Sequence, residues 1–407
     1  MKTTTKVFGL VAGLLAAASG FGLLAWLFSL QASAGLAQWG YGGYFTAVAV
    51  AAGLPLLLAL AGLPWLRREE SKLGAGLAVA SIALAGLVIA GLAIGFGELQ
   101  LRSRALTKPL PASNLVEPAA GIALRGPAGR DGGPVARLSL SSDPHWGKQS
   151  ANAAARTATL KSLAAAQPAR DAFFILGDNV EMGMDEAPWR EEALELAALL
   201  PAMPLRPLLG NHDGLVNGEH HFRKYFFPDK FRTDSGSPFY YSIEAGPAKI
   251  IVLNLLWGAE SFDAEQRAWL EKTLAATPTE RPVIVLSHCF FASSGYVDED
   301  TGMPWYDHFG TLAEVAPILE RHKVDLVVSG HNHYMELLER NGVTYATIGA
   351  LGGKPDPEPT FLSPSSLWFA RGVYGRLDLD VSATSIALAF RDRDGGLLKE
   401  WTVKAAR

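Results

Sequence analysis

The chain holds one cysteine, Cys289, in 407 residues. A single thiol excludes an intramolecular disulfide and any Cys-rich zinc site. Its small, apolar character suits a buried place beside His288. Charge is also scarce: 19% of residues are charged and 49% hydrophobic, fewer charges than a soluble protein of this size carries. The formal net charge of −4 supplies no global basic field, so no nucleic-acid partner is expected. No sequence unit recurs at a fixed period, which argues against repeat architectures.

The charge deficit falls in the first hundred residues. Stretches from about Val7 to Leu30, Tyr44 to Leu66 and Leu73 to Phe96 carry no charge. Each is long enough to cross the hydrocarbon core as a helix, so residues 1–102 are predicted to be a membrane anchor of about three transmembrane helices. Lys2 and Lys6 precede the first stretch, and Arg67, Arg68 and Lys72 separate the second from the third. The charge-free connection 31–43 holds Trp39 and Tyr41, residues suited to an interface belt. The positive-inside rule then puts the N-terminus and the Arg67–Lys72 loop in the cytoplasm. Everything beyond Gly97 lies outside, as in an integral protein of a bacterial inner or cell membrane. Arg102, Arg104 and Lys108 oppose this assignment, but a large following domain is translocated despite nearby charge. Cleavage at Ala32-Ser33-Ala34 would leave two spans and the same extracytoplasmic domain.

Residues 103–134 hold five prolines and five glycines without a sustained period and read as an irregular tether. From Val135 to Arg407 the pattern is that of a folded domain. Short apolar runs at 136–140, 172–176, 205–209, 283–286 and 324–328 fit buried strands. Helical patterns at 189–200 and 264–275 lie between some of them, which indicates an α/β architecture. Further strands are expected at 343–348, 372–379, 385–390 and 398–403, completing a second sheet.

Each of the first five runs ends in a motif. In order these are Asp143-Pro144-His145, Gly177-Asp178-Asn179, Gly210-Asn211-His212-Asp213, Ser287-His288 and Gly330-His331-Asn332-His333. Open α/β sheets gather their sites past the C-terminal ends of strands. The motifs use five of the chain's nine histidines and supply oxygen and nitrogen ligands for two adjacent metal ions. Such a pair suits hydrolysis of phosphate esters.

In kind and order these motifs resemble the calcineurin-like metallophosphoesterase superfamily, over about Val135 to Thr347. The resemblance implies a β-sandwich flanked by helices in an α/β/β/α arrangement, with the site at one sheet edge. It implies a first metal on Asp143, His145, Asp178 and His333, and a second on Asp178, Asn211, His288 and His331, with Asp178 shared. A water between the two ions would be deprotonated near neutral pH and attack phosphorus in line. His212 would contact the phosphate and protonate the leaving oxygen, with Asp213 orienting it. The stretch 210–213 and residues 239–253 resemble the purple acid phosphatase branch in particular. That branch carries a metal-binding tyrosine where this chain has Asn179-Val180-Glu181-Met182. A ferric-tyrosinate centre is therefore not expected, and Mn, Fe, Zn or Co all suit the ligand set.

The function so read is a membrane-anchored di-metal phosphoesterase. The alternatives are a nuclease or cyclic-nucleotide phosphodiesterase with the same chemistry, or a binding module without catalysis. Two segments are expected at the substrate mouth. Residues 214–238 are basic and aromatic, and residues 289–310 carry Phe290, Phe291, Tyr296, Trp305 and Tyr306. Aromatic rings at the mouth suit a lipid-linked or aryl phosphate, or simply pack the loops on the domain.

Overall fold

The computed structural model describes residues 114–404, apart from 130, 131, 300 and 301, together with scattered helical positions between Val7 and Leu101. Two compact units divide the chain, Met1–Arg104 and Ala105–Arg407. Among the described residues no helix is long and apolar enough to cross a membrane. The three predicted spans lie largely outside the described residues. The helical positions described there include exposed apolar side chains at Val50, Leu87 and Ile94.

The second unit begins β1 (Ala136–Ser141), α1 (Ala153–Ala164), β2 (Ala172–Ile175), α2 (Glu186–Leu199), β3 (Leu205–Pro207) and α3 (Glu219–Phe226). It continues with β4 (Tyr241–Ala245), β5 (Ala248–Val252), α4 (Ala264–Ala276), β6 (Val283–Ser287) and a small hairpin of β7 (Tyr296–Val297) and β8 (Pro304–Trp305). Then come α5 (Phe309–Glu314), α6 (Ala316–Arg321), β9 (Leu326–Ser329), β10 (Tyr334–Arg340) and β11 (Val343–Ile348). The last strands are β12 (Ser366–Arg371), β13 (Gly375–Val381), β14 (Ser385–Asp392) and β15 (Leu397–Lys404).

Six strands form one sheet in the order β15-β14-β13-β1-β2-β3, and seven form the other, β12-β10-β11-β9-β6-β5-β4. Each has a parallel part and an antiparallel wing. β1, β2 and β3 run parallel, as do β5, β6, β9 and β11. The alternation along β6 shows why this sequence makes such a strand. Ile284 and Leu286 enter the core between the sheets, with Leu138, Phe174, Ile348 and Leu377. Val283 and Val285 enter a second core with Leu270 and Leu274 of α4 and Ile318 and Leu319 of α6. A run apolar on both faces is what a doubly covered parallel strand requires. α1 lies on β13, on the first sheet, and is capped by the Asn152 side chain, which accepts from Ala155 N. α4 is capped in the same way by Asp263, which accepts from Gln266 N.

Part of the predicted tether is held on the domain. Leu115 pairs in parallel with Leu205 at the open edge of β3. Val116 N donates to Leu205 O at 2.9 Å, and Ile122 N donates to Glu244 O of β4 at 2.8 Å. Residues 114–122 thus strap the edges of both sheets, with Val116 and Ile122 buried. Under the strap, the buried Arg206 guanidinium donates to Val116 O at 2.9 Å and to Phe226 O.

Candidate metal centre

Five parallel strands end at one place. β1 leads to Asp143, β2 to Asp178, β3 to Asn211, β6 to His288 and β9 to His331. The chain turns sharply after three of them. Asp143, His145, Asp178 and His331 all have positive φ, between 46° and 69°. Such conformations cost non-glycine residues on the order of 1–3 kcal/mol each and collect at functional sites. Bonds between distant motifs hold the turns. His212 N donates to Asp178 Oδ1 and His331 N to Asp143 Oδ2, both at 2.9 Å. Small residues admit the approach. A Cβ at Gly210 would collide with Asp178 N and its carboxylate, and one at Gly330 with Ser142 and Asp143.

The side chains converge in overlapping groups: Asp143, His145 and His333; His145, Asp178 and His212; Asp178, His288 and His331. On one side His333 Nε2 is 3.3 Å from Asp143 Oδ1, and His145 Nε2 is 3.7 Å from Asp178 Oδ2. On the other, His288 Nε2 is 3.3 Å from Asp178 Oδ1 and 2.7 Å from Asn211 Oδ1. His331 Nδ1 is 2.8 Å from Asn211 Oδ1. All seven predicted ligands are therefore gathered, and Asp178 faces both sides.

Hydrogen bonds from the rear fix the imidazoles. His333 Nδ1 is 2.6 Å from Lys354 O, and His288 Nδ1 is 2.8 Å from Leu176 O. A carbonyl only accepts, so both Nδ1 atoms carry the proton and both Nε2 atoms turn inward. His333 Nε2 then meets His145 Nε2 at 3.2 Å, and His288 Nε2 meets oxygens of Asp178 and Asn211. The inward Nε2 atoms and the carboxylates call for positive charge between them, which protons on His288 and His333 supply here and a bound cation would replace. Mixed imidazole, carboxylate and amide donors fit a divalent transition metal.

The electrostatics agree. Burial raises the Asp143 carboxyl, but the bond and charge of His333 outweigh it and bring it down to about 2. Burial also raises Asp178, yet the charges of His288 and His212 hold it well below the usual range. His288 and His333, which burial alone would lower, are pushed up to about 9 by Asp178 and Asp143 respectively. Two buried carboxylates demand positive charge. His145, lowered to about 4 chiefly by burial, remains a neutral ligand.

His212 and Asp213 are buried here as well. His212 Nδ1 is 2.7 Å from Glu181 O, and Nε2 is 4.0 Å from Asp178 Oδ2. Asp213 takes its bonds elsewhere: Val180 N, Gly210 N and Asn179 Nδ2 donate to it at 3.0, 2.8 and 2.7 Å. It clamps two motif turns together, and the bond that orients His212 comes from Glu181. Glu181 also takes His145 Nδ1 at 2.9 Å and the Lys148 ammonium at 2.9 Å. In the sequence this role is marked only by an acid three residues after Asp178.

The two expected mouth segments part company. Residues 219–226 form α3, whose His221, Phe222, Tyr225 and Phe226 are buried as packing. In the other segment Phe290 and Phe291 are buried, while Tyr296, Trp305 and Tyr306 on the hairpin are partly exposed. Cys289 is buried, its thiol 3.2 Å from Trp257 O.

Residues 137–335 match the calcineurin-like phosphoesterase family profile. A purple acid phosphatase of Glycine max is 35% identical over 134 residues, which is 31% of this chain and 26% of that protein. The Fe(3+)-Zn(2+) purple acid phosphatase 12 of Arabidopsis thaliana is 33% identical over 134 residues, again 31% and 26%. The chain thus spans about a quarter of these relatives' length. The solved purple acid phosphatase PPD1 of yellow lupin (Lupinus luteus) superposes with a TM-score of 0.54 at 17% identity, covering 67% of this chain and 54% of that one. That likeness concerns the fold. With motif order, two-sheet fold and converged His/Asp cluster in agreement, residues 137–335 form a domain of the calcineurin-like phosphoesterase type, which supports a place for the chain in the metallophosphoesterase superfamily.

Proposed function

We propose that the protein is a membrane-anchored phosphoesterase that holds two divalent metal ions and hydrolyses phosphate esters outside the cytoplasm. Asp178 carries this reading. Its Oδ1 lies 3.3 Å from His288 and its Oδ2 3.7 Å from His145, so one carboxylate serves both ligand sets. Asp143, His145 and His333 would complete the first set, and Asn211, His288 and His331 the second. Bound metals would supply a water of lowered pKa and positive charge for the phosphoryl oxygens. Mn, Fe, Zn or Co fits these donors.

The chain's own groups do the rest. Fixed backbone bonds and left-handed turns pre-orient the ligands, which removes reorganisation from the reaction. His212 donates a hydrogen bond from Nδ1–H to the Glu181 carbonyl, which leaves Nε2 on the side of Asp178. In its imidazolium form, with a second proton on Nε2 beside the Asp178 carboxylate, it can protonate the departing alkoxide and is left as the neutral ring. Lys148, paired with Glu181, adds a cation beside the first ligand set.

Membrane attachment is supported by the three uncharged stretches and by exposed apolar side chains at their described helical positions. The charge bias of the flanks supports the extracytoplasmic side, and the aromatic hairpin supports a lipid-linked ester. Two measurements test the reading. Asp178→Ala should lose both bound metal and hydrolysis of phenyl phosphate, and undiminished turnover would refute the assignment. Carbonate-washed membranes should retain the protein, with the domain open to protease from outside.

A further inference from the structure

Neither ligand set uses the β7–β8 hairpin, yet Trp305 lies against one of them. The Trp305 and His331 rings stack with centroids 5.2 Å apart and planes 28° apart. Phe290 stacks on the same imidazole at 5.7 Å, and Trp257 meets it edge-on at 5.7 Å. Phe290 and Trp257 are buried and belong to the interior. Trp305 is partly exposed.

The hairpin register pairs Tyr296 with Trp305 and Val297 with Pro304. A bond from Asp298 N to Met303 O, at 2.9 Å, continues it by one pair. Strand side chains alternate between faces. Met303 therefore shares the face of Trp305 and Tyr296, and Val297 points to the other. Met303 is 48% exposed. The Trp305–Met303 face starts at a ligand imidazole and runs outward by about 7 Å, two residues of strand rise. Asp298 stands across from Met303 at the outer end, which disfavours a second anionic group there. The far side of the site carries Lys148 and Glu181 instead.

We propose that this face seats the organic group of the substrate, and that the substrate is a phosphate monoester of a long-chain apolar alcohol. The proposal rests on the phosphoesterase reading. A single aryl ring would be satisfied by Trp305. A chain is needed to use Met303 as well.

The test uses the full chain loaded with manganese and the series ethyl, butyl, hexyl and octyl phosphate, with phenyl phosphate for comparison. kcat/KM should rise about twofold per methylene, half the gain of full burial because one side of the chain stays wet. Met303→Ser and Trp305→Ala should flatten the series, while Val297→Ser, on the opposite face, should keep its slope. Calorimetric binding of octylphosphonate against ethylphosphonate needs no turnover, and the octyl compound should bind roughly 60-fold tighter. A flat series with turnover intact overturns the proposal and leaves the phosphoesterase reading standing, as does phenyl phosphate matching octyl. Absence of all turnover, with octylphosphonate still preferred through Met303, sinks the enzyme reading and leaves the apolar seat standing.

Discussion

His145 Nδ1 lies 2.9 Å from Glu181 Oε2, while the carbonyl of the same glutamate faces His212 Nδ1 at 2.7 Å. One residue thus steers a candidate ligand with its side chain and the candidate proton donor with its backbone. The carboxylate is held down to about 2: burial raises it, but His145, His212 and Lys148 outweigh that.

Glu181→Ala should remove the first function and keep the second. Loss of such a rear partner commonly weakens metal affinity about 10- to 100-fold. Equilibrium dialysis should show that loss with the melting temperature nearly unchanged. Glu181→Gln keeps an acceptor oxygen and should recover part of the affinity. Equal affinities in all three proteins would remove Glu181 from the site.

Gly210 and Gly214 flank the Asn211-His212-Asp213 triplet and should respond in opposite ways to alanine. The added methyl collides with the Asp178 backbone at 210, whereas at 214 its nearest neighbour is Leu256 at 3.5 Å. Gly210→Ala should cost about 1–3 kcal/mol or more and strip bound metal. Gly214→Ala should be near neutral in urea denaturation and keep its metal. Retention of full metal by Gly210→Ala would contradict the geometry.

Glu192, on α2, is completely buried, and among the described residues neither carboxylate oxygen has a hydrogen-bond partner. Burial, then the charge of Asp213, raises its pKa well above 4.5. The folded state therefore keeps a proton that the unfolded chain releases. Its stability contribution is present below the unfolded value and fades as pH rises toward the folded one. Glu192→Gln abolishes that loss. Denaturation between pH 5 and pH 8 should show the variant pulling ahead of the parent by up to about 1.4 kcal/mol per pH unit. A gap independent of pH would mean that the carboxyl ionises normally.

The centre was legible because its chemistry is concentrated in rare residues at strand ends. The strand at 343–348 is legible to its true limits, since five of its six residues are β-branched or aromatic. β10 was missed because it starts directly after His333 and places the buried Glu336 in mid-strand, where it receives Ser294 N and Oγ. β4 and β5 are not among the strands expected from the sequence, where residues 239–253 enter only as a family likeness. The roles of Glu181 and Asp213 depend on which carbonyl or amide faces them across loops, and composition does not encode that. The left-handed turns at Asp143, Asp178 and His331 were equally invisible, because tertiary bonds impose them on residues that rarely choose them.

The segment around Asn114–Ile122 bears on how the catalytic part should be isolated. A fragment begun at Val135, where the sequence pattern changes, would strip the partner chain from β3 and β4 and orphan the Arg206 bond to Val116 O. Bare strand edges are templates for pairing with other molecules. Such a fragment should precipitate on expression, and one begun a few residues ahead of Asn114 should remain monomeric.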